Sequence, residues 1–423
     1  MKVVGIIAEY NPFHKGHEYQ IRYAREILGA DYIVVAMSGD FVQRGAPALM
    51  EKHLRAEMAL LGGADLILEM PVQTATASAE GFAAGGVSLL DGLGVVDELC
   101  FGSECGDTET LMNIAQILIK EPFEYRKLLQ QNLRTGMSFP AARSSALIRY
   151  MREKATSVHN TFGVSSEHIE LILSSPNNIL GIEYCKALLR LNSRILPHAL
   201  LRKGCGYHDT DFSLLSDEEF PSASGIRSLM KKSEGTVQSA NLSRLIPSAS
   251  LPGFLDSLKK GAWLSDSALD LPLHYKLLQE SEETLKMYPE LSDALIRRIL
   301  KSRNQYEGFS QFADLLKTRD ITVLLSAAAL SGSFLTKNKS TRTHSLCRVL
   351  GFQKNSAPLL SQIKKNSSIP LITKAADASA ILDETALRLF NETCAASNLY
   401  EMLLCHKTGQ PFIHEMKKPL RII

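Results

Sequence analysis

The beginning of the chain restricts its fold more than any other segment. Residues 2–8 (KVVGIIA) form an apolar run typical of a buried strand, and residues 9–17 (EYNPFHKGH) follow directly. The Asn-Pro pair predicts a turn, because proline fixes φ and disfavours the helical conformation of the residue before it. After Gly16 the apolar residues take a helical spacing. The segment therefore predicts a strand, a tight turn and a helix.

Two histidines, His14 and His17, lie at the start of that predicted helix, with Gly16 between them. A helix N-terminus favours anions, glycine allows a phosphate to approach the backbone, and imidazoles donate hydrogen bonds to a phosphoryl oxygen. The pattern therefore predicts a nucleotide phosphate site. Two alternatives remain open from the residues alone: the histidines are surface polar residues, or they are metal ligands. Metal ligation would need further ligands at suitable spacing, and the neighbouring sequence offers none.

Strands and helices alternate over the first part of the chain, which predicts an α/β fold. Near-continuous apolar strands separated by helices indicate a Rossmann-like, doubly wound parallel sheet that is buried on both faces. The predicted strands are 2–8, 32–37, 65–70, 98–101, 170–173 and 195–200. The predicted helices of this part are 16–28, 48–61, 78–90, 178–191 and one that opens at Ser222–Arg227, with a serine as its N-cap.

A chain of 423 residues exceeds one ordinary core, so two domains are expected. We expect an α/β domain over 1–235 with a helical insertion at about 105–170, a Ser- and Pro-rich linker over 236–253, and a mainly helical domain over 254–423. The formal net charge of +2 means that a nucleic-acid site would be a local patch. The seven cysteines include no C-x-x-C pair, which predicts reduced thiols in a cytoplasmic protein.

The motifs resemble those of a known family. H-x-G-H is the signature of the nucleotidylyltransferase superfamily, and residues 5–21 (GIIAEYNPFHKGHEYQI) resemble more narrowly the bacterial tRNA(Met) cytidine acetate ligases. Further segments similar to that family are 37–48 (MSGDFVQRGAPA), 101–104 (FGSE), 136–143 (GMSFPAAR), 174–184 (SSPNNILGIEY) and 206–211 (GYHDTD).

The resemblance implies which residues bind ATP. It implies that His14 and His17 are catalytic and stabilise the transition state and the departing pyrophosphate. The ATP-binding residues that it implies are Ile7, Ala8, Glu9, Tyr10, Asn11, Pro12, Phe13, His14, Lys15, Gly16, His17, Glu18, Tyr19, Gln20, Gly102, Asn177 and Arg202. Ordinary alternatives exist for the last three: a turn glycine, a helix cap at Asn177 or Asn178, and a solvated arginine.

Two further features carry less specific signals. Ser222–Arg227 loosely resembles the second phosphate motif of the superfamily, with Gly225 in place of the usual hydroxyl or bulkier residue. Asp40 follows the second predicted strand; it is either a capping or loop residue, or a contact to Mg²⁺ or to the acceptor amine.

A basic run in the second half of the chain predicts contact with RNA. Residues 337–342 (KNKSTR) contain no acid, and such a patch neutralises phosphates without reading bases. The tail 417–421 (KKPLR) would extend it; the alternative is a solvated face. The predicted tRNA-binding residues are Lys337, Lys339 and Arg342.

The expected function, taken from the resemblance, is that of an ATP-dependent acetate ligase. It would activate acetate as acetyl-adenylate, with Mg²⁺-bound ATP as substrate, and transfer the acetyl group to the wobble cytidine of elongator tRNA(Met). No tightly bound cofactor, metal site, membrane or obligate protein partner is expected. The alternatives are a nucleotidylyltransferase acting on a small phosphorylated acceptor, and a non-catalytic nucleotide-dependent RNA-binding protein.

Overall fold

The computed structural model describes residues 1–155, 166–203, 220–233, 235, 239–288, 291–317 and 346–423. The chain divides into two compact units. The first unit comprises Met1–Leu99 and Lys203–Ile423, and the second comprises Cys100–Arg202. Within the described ranges, no helix has the length and apolar character needed to cross a membrane.

The strands of the described residues are short and mostly buried. They are β1 (Val3–Ala8), β2 (Tyr32–Ser38), β3 (Leu66–Met70), β4 (Glu98–Ser103), β5 (Leu196–Leu201), β6 (Cys347–Phe352), β7 (Leu371–Ile372) and β8 (Arg421–Ile422). The helices up to the end of the second unit are α1 (Lys15–Glu26), α2 (Lys52–Leu61), α3 (Val72–Ala75), α4 (Ala79–Gly92), α5 (Thr108–Lys120), α6 (Phe123–Arg134), α7 (Phe139–Ala155), α8 (Ser166–Ser174) and α9 (Pro176–Leu191). The later helices are α10 (Ala223–Lys232), α11 (Ser239–Leu245), α12 (Leu251–Lys259), α13 (Asp270–Gln279), α14 (Glu282–Leu285), α15 (Asp293–Ser302), α16 (Phe309–Leu315), α17 (Ala357–Asn366), α18 (Ala378–Ile381) and α19 (Glu384–Thr408).

The sheet of the first unit confirms the predicted doubly wound arrangement. Its strand order is β4-β1-β2-β3-β6-β7, with β8 beside β6. The first four strands are parallel, with Val3 opposite Tyr32 and Val34 opposite Leu66. The order reverses at β1, because β2 and β3 extend the sheet to one side and β4 to the other. Ligands of such sheets bind outside the carboxyl ends of the strands at the reversal, which is where the H-x-G-H turn begins.

The C-terminal segment contributes three strands that the sequence pattern did not predict. β6 pairs antiparallel with β3, placing Phe352 opposite Leu66, and β7 and β8 pair parallel with β6. α11 also lies inside the stretch predicted to be a linker, and its Leu242 and Leu245 are buried. The division into a catalytic and a tRNA-binding domain therefore stays a prediction, whereas the segment after residue 346 completes the sheet of the first unit.

The second unit is mainly helical. It contains α5 to α9, and β5 pairs with β4. The predicted strand at 170–173 is wrong, because these residues lie in α8. A short apolar run fits a strand or a helix equally well from its pattern. Burial of Ile169 and Ile172, with Leu171 exposed, follows the helical spacing.

Candidate active site

α1 begins at the two histidines that the sequence singled out. His14 is its N-cap, and the His14 Nδ1 atom accepts a hydrogen bond from the Gly16 N–H at 3.0 Å. The His17 Nδ1 atom accepts one from the His14 N–H at 3.3 Å, so the two rings form a capping box. A ring nitrogen that accepts a hydrogen bond carries no proton. In the neutral state each ring therefore carries its proton on Nε2.

Gly16 makes room for the ring of His14. A Cβ atom at this position would lie 2.9 Å from the His14 Cε1 atom and 3.3 Å from the Phe220 Cβ atom. The rings of His14 and His17 are packed together, with centroids 3.8 Å apart. The glycine predicted to admit a phosphate is thus also needed to place the imidazole of His14.

The turn between β1 and α1 is held by hydrogen bonds from distant segments. The Glu9 carboxylate accepts from the Gln43 N–H at 2.9 Å, and the Asn11 side-chain oxygen accepts from the Leu49 N–H at 2.7 Å. Arg227 donates to the Asn11 carbonyl at 2.7 Å. The segment 37–48 and the loop after it therefore support the H-x-G-H turn.

The buried side chain of Arg55 donates hydrogen bonds to backbone carbonyls at the carboxyl ends of β1 and β2. It is fully buried, and its guanidinium donates to the carbonyls of Glu9, Ser38, Gly39 and Met50. Burial lowers the pKa of Arg55, and nearby carboxylates partly offset this effect. Sequence reasoning missed this residue. The available signal was a concentration of basic residues at the start of α2, where the helix dipole disfavours cations.

A buried ionic cluster lies beside this arginine. Lys52 Nζ is 2.6 Å from Glu69 Oε1 and 2.8 Å from Glu415 Oε1, and Arg348 contacts the same two carboxylates at 2.9 and 2.6 Å. Burial by itself would raise the pKa of the Glu415 carboxyl, but Lys52, a hydrogen bond from His53, and Arg348 hold it well below its ordinary value. The cluster joins α2, β3, β6 and the C-terminal segment.

Asp40 belongs to the same region, and its contacts support the capping interpretation. Its Oδ1 atom accepts from the Lys52 N–H at 2.8 Å, and its Oδ2 atom is 3.7 Å from Lys52 Nζ. Asp40 is buried. Its carboxylate is therefore engaged at the first residue of α2, which argues against the alternative role as an Mg²⁺ contact.

The second unit brings its three predicted ATP-binding residues together. A Cβ atom at Gly102 would lie 3.3 Å from the Arg202 Cγ atom, and the Arg202 N–H donates to the Ser103 carbonyl at 2.9 Å. The Asn177 side chain donates to Glu104 Oε1 at 2.6 Å. Glu104 also accepts from the N–H groups of Asn177 and Asn178, so this glutamate, and neither asparagine, satisfies the start of α9.

The helix predicted at Ser222–Arg227 has the expected cap. The Ser222 Oγ atom accepts from the Gly225 N–H at 3.0 Å. Just before it, Phe220 stacks on Tyr19 of α1 with centroids 5.1 Å apart, and Lys203 Nζ lies 5.5 Å from the same ring centroid. The packing of Phe220 on Tyr19 and the bond from Arg227 to Asn11 connect this motif to the H-x-G-H turn.

Several predicted features lie outside the described residues: the segment 206–211 and the basic residues Lys337, Lys339 and Arg342. Over the ranges that the structure describes, no group of three or more His, Cys, Asp or Glu residues is arranged to hold a metal ion.

The fold and the site define a class. A parallel sheet whose strand order reverses at β1, followed by an H-x-G-H helix cap, is the arrangement of the HIGH nucleotidyltransferases. The family model described as HIGH Nucleotidyl Transferase matches residues 1–412.

Comparisons with individual proteins narrow the class. The tRNA(Met) cytidine acetate ligase of Acetivibrio thermocellus is 37% identical over 418 residues, which is 96% of each chain. The protein of that name from Clostridium tetani is 34% identical and covers 99% of this chain and 100% of its own. This chain therefore belongs to the tRNA(Met) cytidine acetate ligase family.

Solved structures agree with this assignment. Thermotoga maritima TmcAL in its apo form has a TM-score of 0.89 and 30% identity, and covers 100% of both chains. The same protein bound with alpha-thio ATP has a TM-score of 0.87.

Proposed function

We propose that the protein is an ATP-dependent ligase that acetylates the wobble cytidine of elongator tRNA(Met), giving N4-acetylcytidine. The observation that carries the proposal is the intact histidine pair, whose Nδ1 atoms are engaged in capping α1. Membership of the tRNA(Met) cytidine acetate ligase family supports the substrates. A tRNA substrate would place the protein in the cytosol.

In the first step, a carboxylate oxygen of acetate attacks the α-phosphorus of ATP. The bond to the β-phosphate breaks, and acetyl-adenylate and pyrophosphate form. The Nε2–H groups of His14 and His17 donate to phosphoryl oxygens as negative charge develops there. Such donors act mainly by positioning and by stabilising charge in the transition state.

In the second step, the exocyclic N4 of cytidine attacks the acetyl carbon. AMP leaves, and the nitrogen loses a proton. The base must be exposed for this attack, and an anticodon loop exposes its bases because they can be splayed out of the stack. The basic residues proposed to hold the tRNA backbone are Lys337, Lys339 and Arg342.

The remaining nucleotide contacts are assigned to the second unit. The Asn177 amide nitrogen donates to Glu104, which orients the amide. Its Oδ1 atom would accept from a donor on the nucleotide. A planar guanidinium at Arg202 suits a phosphate. Gly102 lets the Arg202 side chain lie close to the backbone, and the two residues would contact the nucleotide together. Mg²⁺ would enter with ATP, since this ion is commonly held by substrate phosphates and water.

The test separates this function from its alternatives. The purified protein is incubated with ATP, Mg²⁺ and labelled acetate, with and without elongator tRNA(Met), and pyrophosphate and tRNA nucleosides are measured. The proposed ligase releases pyrophosphate with acetate and forms labelled N4-acetylcytidine when tRNA is present. Pyrophosphate release that needs a phosphorylated small molecule would indicate an ordinary nucleotidylyltransferase. Nucleotide-dependent tRNA binding without pyrophosphate release would indicate a non-catalytic protein.

A further inference from the structure

Three large apolar side chains face solvent near the C-terminus of the first unit. They lie on residues 409–418, the C-terminal strap, which follows α19. Phe412 is 50% exposed, Ile413 is 49% exposed and Met416 is 39% exposed. Clustered exposed apolar side chains of this size often mark interaction sites.

The backbone of the C-terminal strap is firmly attached, so this exposure is not that of a frayed end. The Glu415 N–H donates to Asn398 Oδ1 at 2.8 Å, and the Ile413 N–H donates to Glu401 Oε1 at 3.3 Å. Lys418 Nζ donates to the second Glu401 oxygen at 2.7 Å. The carboxylate of Glu415 is part of the buried ionic cluster. These polar contacts therefore fix the strap, while its large apolar side chains remain exposed.

The stretch that carries these apolar groups has one cation with no ion pair shown among the described residues, Lys417, because Lys418 pairs with Glu51 and Glu401 and Arg421 lies near Glu51 and Glu57. Glu415 is the one acid among residues 409–423, and it is buried and paired with Lys52 and Arg348. Lys417 is exposed in the same stretch. The ring of Phe412 lies 6.4 Å from that of His414, at 76°. An exposed aromatic ring and an exposed lysine in the same short stretch are suited to nucleic acid: a base stacks on the ring and a phosphate pairs with the lysine.

We infer that the C-terminal strap binds unpaired bases of an RNA loop, with Phe412 stacking on a base and Lys417 contacting a phosphate. The choice of tRNA as this RNA rests on the proposed function, but the stacking surface does not. The buried ionic cluster ties the strap to α2 and thereby supports it. The strap would thus be preorganised, which lowers the entropic cost of binding.

The test uses the full-length protein and fluorescence anisotropy with three RNAs: elongator tRNA(Met), its anticodon stem–loop and a fully paired duplex. Phe412→Ala should weaken binding of the first two by about five- to hundredfold, the range for loss of one base–aromatic stack, and should change duplex binding little. Phe412→Tyr should restore most of the affinity. Leu271→Ala is the matched control, because this leucine is 78% exposed on α13 and should be neutral. Lys417→Gln should reduce the log–log salt slope of binding by about one unit.

The inference would be overturned if Phe412→Ala binds the stem–loop and the tRNA with affinities within twofold of those of the parent protein. The inference would also be overturned if the parent protein is a dimer and Phe412→Ala converts it to a monomer without changing RNA affinity. The surface would then join two copies of this chain. Pyrophosphate release with acetate alone is measured in the same variants. If the parent protein releases no pyrophosphate with acetate, the proposed function is refuted. The RNA-binding data would still decide the role of the C-terminal strap.

Discussion

Replacing His14 by asparagine separates its observed role as a helix cap from its proposed role in catalysis. The His14 Nδ1 atom caps α1 through the Gly16 N–H at 3.0 Å, whereas Nε2 is the atom assigned to catalysis. In His14→Asn the side-chain oxygen takes the place of Nδ1, and asparagine is a favourable N-cap. We therefore expect the free energy of unfolding to change by less than about 1 kcal/mol. The rate of pyrophosphate formation should fall about a hundredfold or more, equivalent to about 2.7 kcal/mol of transition-state stabilisation.

Two companion variants make the experiment decisive. His14→Ala removes both the cap and the donor, and should lose about 1 kcal/mol of stability in addition to the rate. His14→Gln has an amide N–H that can reach the Nε2 position but a poorer cap, so it should retain more activity than asparagine. Rates are measured with ATP and acetate in the absence of tRNA, ATP affinity by calorimetry, and stability by urea unfolding. If His14→Asn reacts within threefold of the parent, the histidine is only a helix cap. If ATP affinity falls as much as kcat/KM while kcat is unchanged, the contribution of His14 is uniform binding of substrate and transition state.

Further changes address the rest of the first unit. Gly16→Ala should lower the rate at least tenfold with a much smaller loss of stability, because its Cβ atom would lie 2.9 Å from the His14 ring; an unchanged rate contradicts the packing argument. Lys52→Met should destabilise the protein by about 3–5 kcal/mol in urea unfolding, because it leaves Glu69 and Glu415 adjacent and buried; a loss under about 1 kcal/mol would show that the cluster relaxes. The pKa of Glu415 is lowered in the folded state, so its contribution to stability is complete above the unfolded pKa of about 4.3 and is lost as the pH falls through the folded value. Unfolding measured from pH 7 to 3 should show the onset of this loss, because the folded pKa lies well below that range. Glu415→Gln should remove part of it, and identical pH profiles would refute the assignment. Neutralising Lys337, Lys339 and Arg342 together should weaken tRNA binding and flatten its salt dependence, while pyrophosphate release is unchanged. If the variant binds tRNA with normal affinity, these residues form only a solvated face.

Local patterns were sufficient for the α/β half of the first unit. The strand at 2–8, the Asn-Pro turn and the helix after Gly16 are each encoded within a few residues, and the structure places β1 and α1 there. Ser222 as an N-cap was equally local. The prediction of a strand at 170–173 was wrong because a run of four apolar residues is too short to distinguish the two-residue period of a strand from the 3.6-residue period of a helix.

The histidine pair, the family string around it and the parallel sheet follow from the sequence by itself, because each depends on neighbouring residues. Tertiary structure decided which distant groups hold that site. Arg55 reaches the carbonyls at the ends of β1 and β2, and Arg227 reaches Asn11 across 216 positions of the chain. Arg348 enters the sheet in β6, antiparallel to β3, and shares the carboxylate of Glu69 with Lys52. Such contacts leave no periodic pattern in the sequence, because the partners that stabilise a buried charge are distant in the chain and come together only on folding.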